Sequence, residues 1–221
     1  MAVIPYTANP ASNSTDWANA VTALPNGAVE ILDFDAHALG TLAPNNFVGV
    51  TLTGAGVFTS VEFSAGPGNP GSRPPASNGE GLHGTSNILF NSAQLPPTGS
   101  LTATFDRAVS GFGVMTIDLF NPTSNGNRVT LEAFDGPDGS GNSLGVATAA
   151  QFEFQQNFLY FLGLTIDANN IRSAVFTSFA TDGDQMAIDH LAVGTIPEPS
   201  SMTMLLLPLA ILCFGRRRRK R

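Results

Sequence analysis

Short apolar runs alternate with polar turn clusters along most of the chain. Eleven runs rich in Val, Ile, Phe and Thr lie between residues 29 and 193, and clusters such as Asn121-Pro122 and Asp182-Gly183 separate them. The runs cover 29–35, 49–53, 57–63, 87–90, 101–106, 111–120, 128–134, 144–154, 158–166, 173–179 and 186–193. Several alternate with a period of two, which is typical of antiparallel strands with one buried face. The pattern predicts an all-β fold, an antiparallel β-sandwich of jelly-roll type.

One short helix is predicted before the first of these runs, over residues 13–24. Trp17, Val21 and Leu24 lie at i, i+4 and i+7, so they share one face of a helix, and Pro25-Asn26-Gly27 ends the pattern. Trp17 is the only tryptophan. We expect it to anchor a core rather than to present a platform for a ligand.

The last 25 residues have three parts in a fixed order. Pro197-Glu198-Pro199 comes first, and an apolar run over 202–214 follows. The end is entirely basic: Arg216, Arg217, Arg218, Arg219, Lys220 and Arg221. Thirteen apolar residues form a helix of about 20 Å, short against a bilayer core of about 30 Å, but small flanking residues extend it. The pattern predicts a C-terminal transmembrane helix whose basic end stays in the cytoplasm.

Charge separates this tail from the rest of the chain. Six of the 10 Lys and Arg residues stand at 216–221, so four arginines face all 17 acidic residues upstream, a net charge of −13. An acidic body without lysine excludes nucleic acid as a partner. We therefore divide the chain into an N-terminal segment with the helix (1–28), a β-sandwich domain (29–194) and a tail (195–221).

No catalytic motif is present. The sequence has no G-x-S-x-G, H-E-x-x-H or C-x-x-C pattern, and its three histidines are scattered. Cys213, the only cysteine, lies in the apolar run, so the body has no internal disulfide. Nothing singles out a carboxylate pair for glycoside hydrolysis. We predict that the protein is not an enzyme, with a polysaccharide-active enzyme as one alternative.

Acidic side chains suggest one cofactor, a structural calcium ion. Asp33 and Asp35 flank the first predicted strand's Phe34, and Asp189 lies in the last strand, which a sandwich often brings beside the first. Carboxylates that converge there supply the oxygen ligands that Ca²⁺ takes. The alternative is that all three are solvated carboxylates at strand edges. A second acidic segment, 135–142, lacks the ligand spacing of a calcium loop and is predicted to be a hairpin turn.

The tripeptide, the apolar span 202–214 and the cluster Arg216–Arg219 together resemble the PEP-CTERM sorting signal, also catalogued as the C-terminal domain of ice-binding proteins. The sequence Ile188-Asp189-His190-Leu191 is similar to the C-terminal end of the β-sandwich domains in such proteins, although those domains more often end in I-D-D-L. The resemblance implies an exported protein of a Gram-negative bacterium. It also implies a transient inner-membrane anchor and recognition by an exosortase, with Glu198 as a recognition residue, and cleavage near Pro197-Glu198-Pro199. Delivery would be to the cell surface or its exopolysaccharide.

Two further expectations complete the functional hypothesis. Residues 1–11 carry neither the basic nor the apolar region of a secretory leader. Either the protein is not exported by that route or the sequence starts inside or after a leader, and we expect the second. The main hypothesis is a non-enzymatic surface protein. The alternative is a carbohydrate- or ice-binding module, although the body has only one tryptophan and two tyrosines with which to stack on sugars.

Overall fold

The computed structural model describes residues 4–8, 17–24, 27–34, 40–41, 47–55, 58–63, 87–91, 98–117, 128–150, 159–179 and 187–195. Thirteen strands and one short helix lie in these ranges. The strands are β1 (Ile4–Ala8), β2 (Ala28–Asp33), β3 (Gly40–Thr41), β4 (Val50–Ala55), β5 (Phe58–Phe63), β6 (Asn87–Asn91), β7 (Thr98–Val109), β8 (Gly111–Ile117), β9 (Arg128–Phe134), β10 (Ser143–Ala150), β11 (Leu159–Thr165), β12 (Ile171–Phe179) and β13 (Ala187–Thr195). The helix, α1, includes residues 17–22.

The strands form two antiparallel sheets. Sheet A has eight strands in the order β1-β11-β8-β13-β6-β5-β3, with β2 also paired to β13. Along one side of β13, its first residues pair with β6 and its later residues with β2. Sheet B has five strands in the order β10-β9-β12-β7-β4. The predicted all-β, antiparallel fold is confirmed, and each of the eleven predicted runs contains or overlaps one strand.

Two strands have no counterpart in the prediction. β1 pairs with β11 at the edge of sheet A, and the two-residue β3 pairs with β5 at the other edge. Both are short, and β1 contains Pro5, which cannot donate to a ladder. Their position is set by the strand that each one joins rather than by a local pattern.

The main core lies between the two sheets. Every second residue of β9 is fully buried there, namely Val129, Leu131 and Ala133. Large aromatic side chains fill the space between the layers, and the rings of Phe105 and Phe112 meet edge to face at 5.3 Å between centroids. Each buried Phe stabilises the fold by about 1.5–3 kcal/mol. These rings therefore help to hold the two sheets together in a body that has no internal disulfide.

A second, smaller core covers the outer face of sheet A. Trp17 and Val21 of α1 are buried against this face, where Phe161 is also buried. The ring centroids of Trp17 and Phe161 are 5.6 Å apart. The helix can approach this closely because the sheet presents glycines to it: a Cβ on Gly194 would lie 2.8 Å from Val21 Cγ2. The prediction that Trp17 anchors a core is thus confirmed, although the core lies outside the sandwich.

The first residues of the predicted helix, 13–16, and the predicted transmembrane span, residues 202–214, lie outside the described residues. Within the ranges given above, no helix is long and apolar enough to cross a bilayer.

Candidate functional site

The predicted sorting tail begins where the last strand of sheet A ends. Gly194 pairs with Val29 of β2 on one side and with Gly111 of β8 on the other, and Thr195 pairs with Ala28. In addition, the Ser110 amide donates to the Gly194 carbonyl at 2.8 Å. The chain is therefore held inside the sheet up to Thr195, two residues before Pro197.

The remaining tail residues of the prediction lie outside the described part of the chain. They are Pro197, Glu198, Pro199, Arg216, Arg217, Arg218, Arg219, Lys220 and Arg221. Their roles stay predictions from the sequence.

The two strands of the proposed calcium site are neighbours, as predicted. β2 pairs with β13, and Asp33 lies directly opposite His190, next to Asp189. The register of β13 on β8 shifts between Ile188 and His190, so a β-bulge falls at Asp189. Sequence reasoning identified the strand pair but not the bulge.

Whether these residues bind calcium is a separate question. Asp35 lies outside the described residues, and for Asp33 and Asp189 the structure describes the backbone alone. Among side chains that the structure does describe, no group of three or more His, Cys, Asp or Glu could hold a metal ion. Calcium binding stays a prediction, which a chelator tests: a thermal midpoint that does not move on its addition would exclude a structural ion.

The acidic segment 135–142 forms a tight hairpin loop between β9 and β10, so the prediction of a turn is confirmed. The Asp135 carboxylate accepts hydrogen bonds from the Asn142 amide nitrogen at 2.7 Å and from its Nδ2 at 2.8 Å. These two donors hold the pKa of Asp135 below its ordinary value. Asp138, Gly139 and Gly141 have positive φ angles of 54°, 70° and 85°, which Gly and Asp tolerate best.

This loop folds back over the outer face of sheet B. Asp138 Oδ1 accepts a hydrogen bond from Thr104 Oγ1 of β7 at 2.8 Å. The Ser173 hydroxyl of β12 accepts from the Gly139 amide at 2.9 Å and donates to the Gly136 carbonyl at 2.6 Å. The loop thus covers one end of the face and leaves the other end open to solvent.

The open end is rich in hydroxyl groups. Apolar residues of β4, β7, β9, β10 and β12 point into the core, so the alternate positions lie on the outer face. Away from the loop and its row, six of these positions with described side chains carry Ser or Thr: Thr53, Ser100, Thr102, Thr130, Thr148 and Thr177. We call this set the hydroxyl face. All six are exposed or half-buried.

Sequence reasoning missed the hydroxyl face. Its local signal is a T-x-T repeat, present at Thr51 and Thr53 and again at Thr102 and Thr104. The repeat shows that hydroxyls share one side of a strand. It does not show that β4 and β7 are neighbours, which the register establishes by pairing Thr53 with Thr102.

Charged and aromatic groups border the face. Arg128 lies opposite Phe179, and its guanidinium carbon is 4.1 Å from the centroid of the Phe179 ring. Glu132 and Val146 pair across β9 and β10 next to the hydroxyls. The Arg128 guanidinium occupies one face of the Phe179 ring, so a sugar ring cannot stack on that face.

Solved structures similar to this chain include three binding or adhesin domains. The K3 cleaved adhesin domain of Lys-gingipain from Porphyromonas gingivalis is 16% identical with a TM-score of 0.47, over 77% of this chain and 99% of that one. A mutant of a family 29 carbohydrate-binding module is 11% identical with a TM-score of 0.40, over 78% and 99%. TmCBM61 in complex with β-1,4-galactotriose is 11% identical with a TM-score of 0.37, over 77% and 88%. Similarity at this level says nothing of what this chain binds.

The two sequence comparisons differ in outcome. A search of curated proteins found no match to the chain. The model of a family described as the PEP-CTERM protein-sorting motif matches residues 195–220. The match begins at Thr195, where β13 ends, and it includes Pro197-Glu198-Pro199 and the cations 216–220. The chain therefore carries a PEP-CTERM protein-sorting motif at residues 195–220.

Proposed function

We propose that this chain is a non-enzymatic protein that is exported and then displayed on the cell surface or in its exopolysaccharide after an exosortase cuts its tail. The observation that carries the proposal is the position of the sorting motif, which starts at the last residue of β13. In this proposal the body is a sandwich of jelly-roll type. Residues 202–214 span the inner membrane and the basic end remains in the cytoplasm.

The position of the motif supports a cut at or after Pro197. Only Ile196 separates Thr195 from the tripeptide. β13 is paired on both sides, so a cut inside it would remove part of a central strand. A cut at the tripeptide separates the tail from the body without breaking a ladder hydrogen bond of that strand. The body would remain folded after processing.

The test is a variant of the tripeptide in the native host. We expect that changing Pro197, Glu198 and Pro199 together to Ala leaves the protein at its unprocessed mass in the inner-membrane fraction. Ser200→Ala with Ser201→Ala is the matched control, because it changes the next polar residues and leaves the tripeptide intact. If the tripeptide variant shows unchanged mass and unchanged surface display, tail processing is excluded.

The hydroxyl face favours a second candidate function, that of a carbohydrate- or ice-binding module. An exposed sheet face with many hydroxyls and few charges offers hydrogen bonds to a hydroxylated ligand or to ordered water. A glycan array and a measurement of thermal hysteresis on the purified protein separate the two ligands. The enzyme alternative would need turnover that disappears when one specific carboxylate pair is changed.

A further inference from the structure

We propose that the hydroxyl face of sheet B binds a neutral, hydroxyl-rich polysaccharide. This inference rests on the proposed surface location, because such a polymer is met outside the cell. It assigns a ligand class to residues for which the sorting motif has no role.

The geometry of the face suits an extended polymer. Ser100 pairs with Thr177, Thr177 with Thr130, and Thr130 with Thr148, so one row of hydroxyls crosses four strands. Neighbouring strands in a sheet lie about 4.8 Å apart, which makes the row about 14 Å long. Thr53 and Thr102 form the start of a parallel row across β4 and β7. A linear chain can therefore contact several hydroxyls at once, and the weak contacts add through avidity.

Three hydroxyls of the face have no internal partner among the described residues. The hydroxyls of Thr102, Thr130 and Thr177 make no hydrogen bond to another residue in the part of the chain that the structure describes. Each can donate one hydrogen bond and accept two, which complements the hydroxyls of a sugar. Thr is stiff at χ1 because it is β-branched, so these groups lose little rotamer freedom on binding.

Charge selects a neutral polymer over an anionic one. Residues 1–215 have a net charge of −13, which repels polyanions. Glu132 and Arg128 lie on either side of Thr130 in β9, and their charges are opposite. The hydroxyl row thus offers hydrogen bonds without an excess of positive charge that would attract a polyanion.

The loop 135–142 defines one boundary of the binding surface. Its contacts with Thr104 and Ser173 use the hydroxyls of those two residues internally. Gly139 lies against Val175, where an added Cβ would be 2.8 Å from Val175 Cγ2. A polymer that lies along the row of Ser100 would therefore have the loop beside it, on the side of Thr104 and Ser173.

The experiment is affinity electrophoresis of the full-length protein in mild detergent. The gels contain hydroxyethylcellulose, dextran or galactomannan as neutral probes, and alginate as an anionic probe. The test variant carries Thr130→Val and Thr177→Val, which keep the shape and β-propensity of Thr and remove two hydroxyls. The control is Thr22→Val, which removes an exposed hydroxyl from α1, far from sheet B in the fold.

We expect retardation by at least one neutral polymer and none by alginate. Loss of two hydrogen bonds should weaken affinity for that polymer by about tenfold, whereas Thr22→Val should bind as the parent does. An unchanged affinity of the double variant would overturn the assignment of the face, and so would no binding to any neutral polymer or equal binding to alginate.

Ice is the rival occupant. If the parent shows thermal hysteresis but no polymer binding, and the Thr130→Val, Thr177→Val variant loses that hysteresis, the face is assigned to ice. This result would overturn the proposal of a polysaccharide ligand. Because these assays use purified protein, their failure leaves the tripeptide test of tail processing unaffected, and the two proposals can fail separately.

Discussion

The indole Nε1 of Trp17 donates a hydrogen bond to the backbone carbonyl of Leu164, 147 residues further along the chain, at 2.9 Å. Trp17 belongs to α1 and Leu164 to β11, so the bond fixes the N-terminal helix on the outer face of sheet A. The same face includes Gly194, next to the start of the sorting motif. The helix is thus part of the support for the strand from which the tail leaves.

We expect graded losses of stability when Trp17 is changed. Trp17→Phe keeps most of the apolar surface and loses the hydrogen bond, which should lower the free energy of unfolding by about 1–2 kcal/mol. Trp17→Ala also leaves a cavity and should cost about 3–5 kcal/mol. Asn19→Ala, at an exposed position of the same helix, is the control. Denaturant unfolding measures all three, and a Trp17→Ala loss no larger than that of Asn19→Ala would refute the anchor.

The contact between Gly194 and Val21 should show strong coupling. A Cβ on Gly194 would lie 2.8 and 2.9 Å from the two Cγ atoms of Val21, so Gly194→Ala alone should lower the free energy of unfolding by about 1–3 kcal/mol. Val21→Ala removes both Cγ atoms, and the nearest remaining neighbour, Gly111 Cα, is 3.4 Å away. The double variant should therefore lose about 1 kcal/mol less than the sum of the single losses. Additive losses would show that the helix does not pack as described.

The hairpin loop should be weakened by acid. The folded pKa of Asp135 lies below its unfolded value of about 3.9, so its stabilising effect is complete above that value and is lost as the pH falls through the folded pKa. Asn142→Ala removes one of the donors to the carboxylate and should raise the Asp135 pKa towards its ordinary value. Carboxyl NMR titration measures the Asp135 pKa in the parent and in the Asn142→Ala variant. An Asp135 pKa that is the same in the parent and the variant would contradict the assigned cause.

The sequence predicts the local elements well and the contacts between them poorly. β9 begins and ends where its run does, at Arg128 and Phe134, because three apolar residues alternate there with polar ones. Trp17 is identifiable as an anchor, but its partner Leu164 is not, since 147 residues separate them. The turn at 135–142 is readable from its Asp and Gly residues, whereas its hydrogen bonds to Thr104 and Ser173 depend on strand order.

The candidate sites follow the same division. The sorting motif is a linear pattern, so the sequence predicts it directly and the family model confirms it at 195–220. The hydroxyl face exists only because β7, β12, β9 and β10 lie side by side in one register. Periodicity gives the side of a strand on which a residue lies, but it does not give the neighbours of that strand.

The intact mass of the protein recovered from the surface of its native host tests the central claim most directly. Processing by an exosortase predicts a C-terminus at or near Pro197-Glu198-Pro199, with the apolar run and the six basic residues absent from the mass and an intact β13. A surface form whose mass includes the chain through Arg221 would contradict the account.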